Sequence, residues 1–295
     1  MPYSTGVKLV LLAALLWSLN GLLIRQIDQA GTWAVLFWRS AGMIPVLLVV
    51  IWGRSGQVVA PLRRVGWSGV VGGLGLVLAF GGAIFAFQAT TVANAVFLFS
   101  ASPFLAALMG WLILRETVRP ATWAAIALAG LGMFVMVREG LAAGAMAGNV
   151  AALLSALGFA SFTIALRWGK LSDMLPAVVI GGLLSMLAAA MVLAAQGESL
   201  WVPGRDIAIS LAMGAAVLAT GMALYTAGSR VIPAAELTLL SMVEVLLAPV
   251  WVFLALGETA SAGTFTGGAV LMAAVAFNAL SGARMRRAPA LGVGR

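Results

Sequence analysis

Long apolar runs separated by short polar segments dominate the sequence. Five of spanning length cover about Gly6 to Ile24, Thr32 to Trp52, Trp67 to Gln88, Val92 to Leu114 and Ala121 to Val137. Five more follow at about Gly148 to Leu166, Met174 to Ala195, Asp206 to Gly228, Ala234 to Leu256 and Ala262 to Ala283. About 20 apolar residues cross the hydrocarbon of a bilayer as one α-helix, so ten such helices take up roughly 200 residues. The pattern predicts an all-α membrane protein with ten transmembrane helices and no second soluble domain. The first run has the Lys8 of a signal peptide, but no small-residue cleavage site follows Ile24; the next polar residues are Arg25, Gln26 and Asp28. It is read as the first helix.

Composition agrees and removes whole classes of chemistry. Apolar residues make up 63% of the 295 and charged ones 9%, against about 45–50% and about 25% in soluble domains. Cysteine and histidine are both absent, which excludes disulfides, thiolate and imidazole metal sites, and Ser-His-Asp or Cys-His catalysis. No cofactor or metal site is expected. The net charge of +8 is scattered between apolar runs, so it reads as a topology signal and not as a nucleic-acid surface. With the N-terminus in the cytoplasm, Arg25, Arg138 and Arg205 alone fall outside and Arg39 lies within a span. All other lysines and arginines of the 17 lie inside. The positive-inside bias therefore predicts both termini in the cytoplasm and a multi-pass protein of a bacterial inner membrane.

The chain also matches itself at an offset of 142 residues without a gap. Leu11, Leu12, Ala14, Leu15 and Arg25 fall on Leu153, Leu154, Ala156, Leu157 and Arg167, and Gly72 falls on Gly214. Leu114-Arg115-Glu116-Thr117 falls on Leu256-Gly257-Glu258-Thr259. Apolar identities arise readily in such a composition, so the arginine and Glu-Thr matches carry the weight. Five spans per copy is an odd number, which makes the second copy enter the membrane upside down. The expected organisation is two inverted five-helix repeats, 1–140 and 141–285, with a basic cytoplasmic tail at 286–295. Inverted repeats are the build of many secondary transporters, whose halves rock about a site near the midplane.

Leu16-Trp17-Ser18, Ala101-Ser102-Pro103-Phe104 ahead of Leu-Arg-Glu-Thr, and Leu240-Ser241-Met242-Val243-Glu244 ahead of Leu256-Gly257-Glu258 resemble the EamA-type exporters of the drug/metabolite transporter superfamily. The resemblance spans nearly the whole chain and implies ten helices and efflux of amino acids or related metabolites. That family often has Glu-Pro where this chain has Glu244-Val245, and the helix break implied there moves toward Pro249.

Ionisable groups within hydrocarbon are costly and mark function or pairing. Glu244 lies near the middle of the ninth helix, Glu236 near its cytoplasmic end, and Arg39 in the outer half of the second. Glu236 and Glu244 are eight residues apart, about 80° around a helix, so both can border one cavity. Glu244 either binds a substrate ammonium, carries a coupled proton, or is structural glue. Arg39 either attracts a substrate carboxylate or snorkels toward the outer headgroups.

Aromatic and amide side chains form a second candidate set. Trp17 and Asn20 share a helix face with Ala13 and Ile24, and the repeat offset places Ser155, Phe159, Phe162 and Leu166 on the matching face of the sixth helix. Asn94 with Phe97 and Ser100 with Phe104 add to this in the fourth. For each aromatic singly, packing or lipid contact competes with a binding role. Trp33, Trp52, Trp67, Trp111 and Trp201 lie near span ends, as an interfacial belt requires. Glu116-Thr117 and Glu258-Thr259 read first as caps of the fifth and tenth helices.

The candidate substrate-binding residues are thus Trp17, Asn20, Arg39, Asn94, Phe97, Ser100, Phe159, Phe162, Glu236 and Glu244. The expected partners are a small-molecule substrate, the lipid bilayer and, in one reading of Glu244, protons; a monomer suffices. No Gly-x-x-x-x-Gly-Lys-Ser/Thr run exists, so energy comes from a proton or substrate gradient. Export of organic cations or other metabolites remains open beside amino acids. An intramembrane aspartyl enzyme is a distant alternative, because Asp28, Asp173 and Asp206 fall in loops or at span ends, and a channel lacks charged rings or a filter. Arg25→Cys and Arg167→Cys, each the sole cysteine, are expected to react with an impermeant maleimide from opposite sides of the membrane; labelling from one side removes the inversion.

Overall fold

The computed structural model describes residues 1–142, 145–170, 173–232 and 234–287, and among them finds helices and no strand. The spans are α1 (Tyr3–Ile24), α2 (Thr32–Ser55), α3 (Gly66–Ala89), α4 (Val92–Leu114), α5 (Pro120–Ala142), α6 (Met146–Trp168), α7 (Leu175–Gln196), α8 (Gly204–Gly228), α9 (Ala234–Leu256) and α10 (Ala262–Arg287). Nine of them are long and apolar enough among the described residues to cross a membrane, and α9 contributes a shorter apolar stretch, Leu240–Leu256. A short helix, Val59–Arg64, sits in the connector between α2 and α3. Turns follow local rules: Gly56, Gly197 and Gly257 end their helices with φ near +68°, a conformation that glycine adopts without a Cβ clash.

The exterior is as apolar as the core. Leu74, Leu131, Phe134, Leu183 and Leu254 are all more than half exposed, while Leu36, Met43, Leu47, Leu76 and Ile84 are sealed inside. That distribution suits a solvent of acyl chains and would aggregate in water. Trp52, Trp67, Trp111 and Trp201 are exposed near span ends, consistent with the belt reading; Trp33 is half-buried and lies beside Gly81.

Helix association in lipid has no hydrophobic drive and depends on close packing of small residues. The α3–α6 seam shows this along its whole length. A Cβ on Gly75 would stand 2.8 Å from the Gly158 carbonyl oxygen, one on Gly158 2.5 Å from the Ala79 nitrogen, and one on Gly82 2.8 Å from the Ala151 carbonyl. Ser155 Oγ donates to the Ala79 carbonyl at 2.7 Å across the same seam. α5 and α10 pack likewise through Gly132 and Gly267, each of whose absent Cβ would meet the other's carbonyl at 2.6 Å.

Three spans are irregular. α1 breaks at Leu19, and α4 breaks at Ser100–Ala101 just ahead of Pro103. α8 widens into a π-helical stretch at Met213–Ala219, where Thr220 Oγ1 donates to the Ala215 carbonyl at 2.9 Å. The break implied near Pro249 does not occur. α9 runs through that proline, and α2 runs through Pro45, because a proline forfeits one backbone bond and neighbouring helices hold the rest in place.

Gly75→Val is expected to cost about 1–3 kcal/mol through overpacking of the α3–α6 seam, read as a lowered melting temperature in detergent. Gly130→Ala, which meets nothing within 4 Å, leaves the melting temperature unchanged or slightly raised.

Candidate functional site

α1, α8 and α9 converge around an aromatic and polar cluster. Trp17 and Tyr225 lie with ring centroids 5.4 Å apart and planes tilted by 41°. Gly221, one helical turn before Tyr225, is the reason the indole fits: a Cβ there would overlap Trp17 at Nε1 and lie 2.7 Å from Cδ1. Tyr225 interacts with Ser241 of α9 and lies within electrostatic range of Glu244. Ser241, Glu244, Ala248 and Trp251 share one stripe of α9, whose far end turns to α1 where Trp251 Nε1 donates to Ser18 Oγ at 2.9 Å. Glu244 is half-buried, and neither it nor Trp17 Nε1 is satisfied by a protein partner among the described residues.

Arg39 occupies a separate niche. It is 4% exposed, with its guanidinium carbon 4.8 Å from the centroid of Phe80 on α3. Nε and Nη2 are sealed from solvent and have no hydrogen-bond partner among the described residues. Among the described residues no carboxylate pairs with it. The side chain is thus turned into the bundle and does not snorkel to the headgroups. α8 closes on the backbone behind it, since Gly214 in the π-helical stretch abuts the Arg39 carbonyl. A cation over an aromatic face is attracted by the ring quadrupole, which partly compensates a charge held without a counter-ion.

The other candidate residues divide between the cluster and structural duties. Asn20 Nδ2 donates to the Trp17 carbonyl at 2.9 Å across the α1 break, while its buried Oδ1 has no partner among the described residues. Asn94 is consumed by a buried network: its Nδ2 donates to Asn149 Oδ1 and, at 3.2 Å, to Thr90 Oγ1, and its Oδ1 accepts from Thr264 Oγ1 at 3.4 Å. This ties α4 to α6 and α10. Ser100 Oγ donates to the Phe97 carbonyl of its own helix at 2.6 Å. Phe97 packs on Gly268 of α10 and lines an apolar crevice of about 540 Å³ with Pro249, Phe253, Phe265 and Met272. Phe162 is 2% exposed in the α3–α6 seam against Gly72, and Phe159, on its outer side, is 38% exposed. Glu236 falls in the first turn of α9, where its side chain lies outside the described residues.

The glutamates at the span ends are not caps of the helices that follow them. Ser261 caps α10 by accepting from the Thr264 amide at 3.1 Å. Glu258 instead accepts from Arg25 Nε at 2.8 Å and from the Val92 amide at the start of α4 at 2.7 Å. Glu116 pairs with Arg167 of α6. Tyr225 and Ser241 were not singled out as site residues from the sequence. A signal existed, since Tyr225 is one of only two tyrosines and lies within a span.

The ten-helix bundle thus holds a buried arginine and a half-buried glutamate within its spans, neither with an ionic partner among the described residues. Residues 4–138, the first five spans, match the EamA-like transporter family. A crystal structure with 19% sequence identity shares the fold, with a TM-score of 0.66 over 95% of this chain and 99% of that one. No curated protein matches.

Asn94→Ala leaves Asn149, Thr90 and Thr264 short of partners and is expected to lower stability by about 1–3 kcal/mol. Ser100→Ala, which loses one hydrogen bond within its own helix, is expected to cost under about 0.5 kcal/mol; equal losses in a thermal melt would contradict the assignment of Asn94 to structure.

Proposed function

We propose that the protein is a secondary exporter of amino acids, aromatic and other neutral ones favoured, working by alternating access of two inverted five-helix halves. One observation carries this reading. Arg39 and Glu244 are a base and an acid, lie within the spans, and have no ionic partner among the described residues, so each is left for something that enters. A zwitterion carries a counter-charge for each, its carboxylate suiting the forked donors of Arg39 and its ammonium suiting Glu244, as it meets the two niches in the course of the transport cycle. Trp17 and Tyr225 beside Glu244 offer faces for a flat or apolar side chain. Five spans matched by the family, and an internal offset that carries Arg25 onto Arg167 and Glu116 onto Glu258, support the doubled architecture. The arginines crowded at one set of connectors support cytoplasmic termini in a bacterial inner membrane.

Glu244 with its aromatic neighbours also suits an organic cation, and Arg39 separates the two substrate classes. In proteoliposome counterflow, Arg39→Ala is expected to lower transport of an amino acid about ten-fold or more, the size of a lost charge-assisted hydrogen bond. The corresponding decarboxylated amine is little affected. Equal loss for both removes the carboxylate contact. Glu244→Gln is expected to abolish transport of both; unchanged flux at every pH would take Glu244 out of the mechanism.

A further inference from the structure

At one face of the bundle Arg25, just past the last turn of α1, reaches the α9–α10 connector and pairs with Glu258. The site is tied further by Arg25 Nη2 donating to the Thr90 carbonyl at 2.7 Å and by the Val92 amide donating to Glu258 Oε1. At the opposite face Arg167, in the last turn of α6, reaches the α4–α5 connector and pairs with Glu116. The repeat offset of 142 maps Arg25 onto Arg167 and Glu116 onto Glu258. The two pairs are therefore one interaction made twice, and both are crossed: each half supplies the arginine at one face and the glutamate at the other.

We propose that these crossed pairs are the two latches of the transport cycle, one shutting each face, with release of one while the other holds. The inference rests on the alternating-access reading given above, though not on the substrate. Three features favour latches over static glue. Both pairs join connectors or helix ends, so parting them unzips no glycine seam. Both lie at span ends, where water can solvate the separated charges; a pair parted in hydrocarbon would strand two ions and hold the protein in one state. And the two equivalent pairs differ in state. Arg25 and Glu258 are 24% and 19% exposed and carry the two backbone ties, whereas Arg167 and Glu116 are 47% and 36% exposed. Screening by salt acts most on the exposed pair, so the Arg167–Glu116 latch is the one poised to open.

The absence of cysteine makes the test direct. A single Ser241→Cys reporter in the central cluster is labelled in sealed vesicles with an impermeant maleimide applied from either side. Glu258→Gln is expected to raise labelling from the Arg25 side several-fold and lower it from the Arg167 side; Glu116→Gln is expected to do the reverse. The exchanged pair Arg25→Glu/Glu258→Arg restores the parental ratio, and Arg25→Gln and Arg167→Gln repeat the two shifts if a glutamate variant fails to fold. Shifts in the same direction, or none in variants with unchanged melting temperature, overturn the proposal. Opposite shifts in a protein that moves no amino acid leave the latches standing and refute only the substrate reading.

Discussion

A charge or polar group placed in hydrocarbon has to be satisfied by protein or by what the protein carries. The structure divides its polar groups by that constraint. The helices pair most of their backbone groups internally and continue across two internal prolines and a π-helical stretch. Asn94 is satisfied by Asn149 Oδ1, Thr90 and Thr264 where α4, α6 and α10 meet. Arg25, Glu258, Arg167 and Glu116 stay at span ends, where ion pairing and water share the task. The exceptions among the described residues are Arg39 and Glu244, which have no ionic partner, and the buried Trp17 Nε1, Asn20 Oδ1, Ser40 Oγ, Asn149 Nδ2 and Ser185 Oγ, which have no hydrogen-bond partner.

Close packing of glycines holds the exceptions in place. The α3–α6 seam places backbone against backbone, so these two helices behave as one body, and α5 with α10 forms another such unit. α1 and α8 meet differently. They touch closely at Gly6 and Gly228, but at Gly221 the indole of Trp17 is interposed and Tyr225 leans on it. Under the sequence offset of 142 α1 and α8 correspond to α6 and α3, so of two equivalent pairings between the halves of the chain one is zipped and the other is wedged apart by an aromatic side chain. The wedge creates the cluster around Glu244.

Some of the site was legible in the chain and some was not. Trp17, Asn20, Arg39 and Glu244 stand out because polar and large amphipathic residues are conspicuous within apolar runs. Asn94 stands out for the same reason, yet its hydrogen bonds are spent within the bundle; conspicuousness marks a constrained residue without saying whether protein or substrate satisfies it. Phe162 and Ser155 fit a helix face matching that of Trp17, but a glycine-rich neighbour, α3, fills that face. Gly221 and Tyr225 carry no pattern in the linear order that links them to Trp17.

The number of spans, their helical form, the crowding of arginine at alternate connectors and the internal offset were all determined by the sequence, because bilayer thickness and charge translocation act on short stretches of chain. Which helix faces meet was decided only in three dimensions. In water an apolar stripe reveals the buried side of a helix, but here lipid and core are equally apolar and the stripe disappears. Arg25 and Glu258 are 233 residues apart, and Asn94 and Asn149 are 55 apart. What brought them together was the fit of small residues between helices, a property of surfaces that exists only once the bundle has assembled.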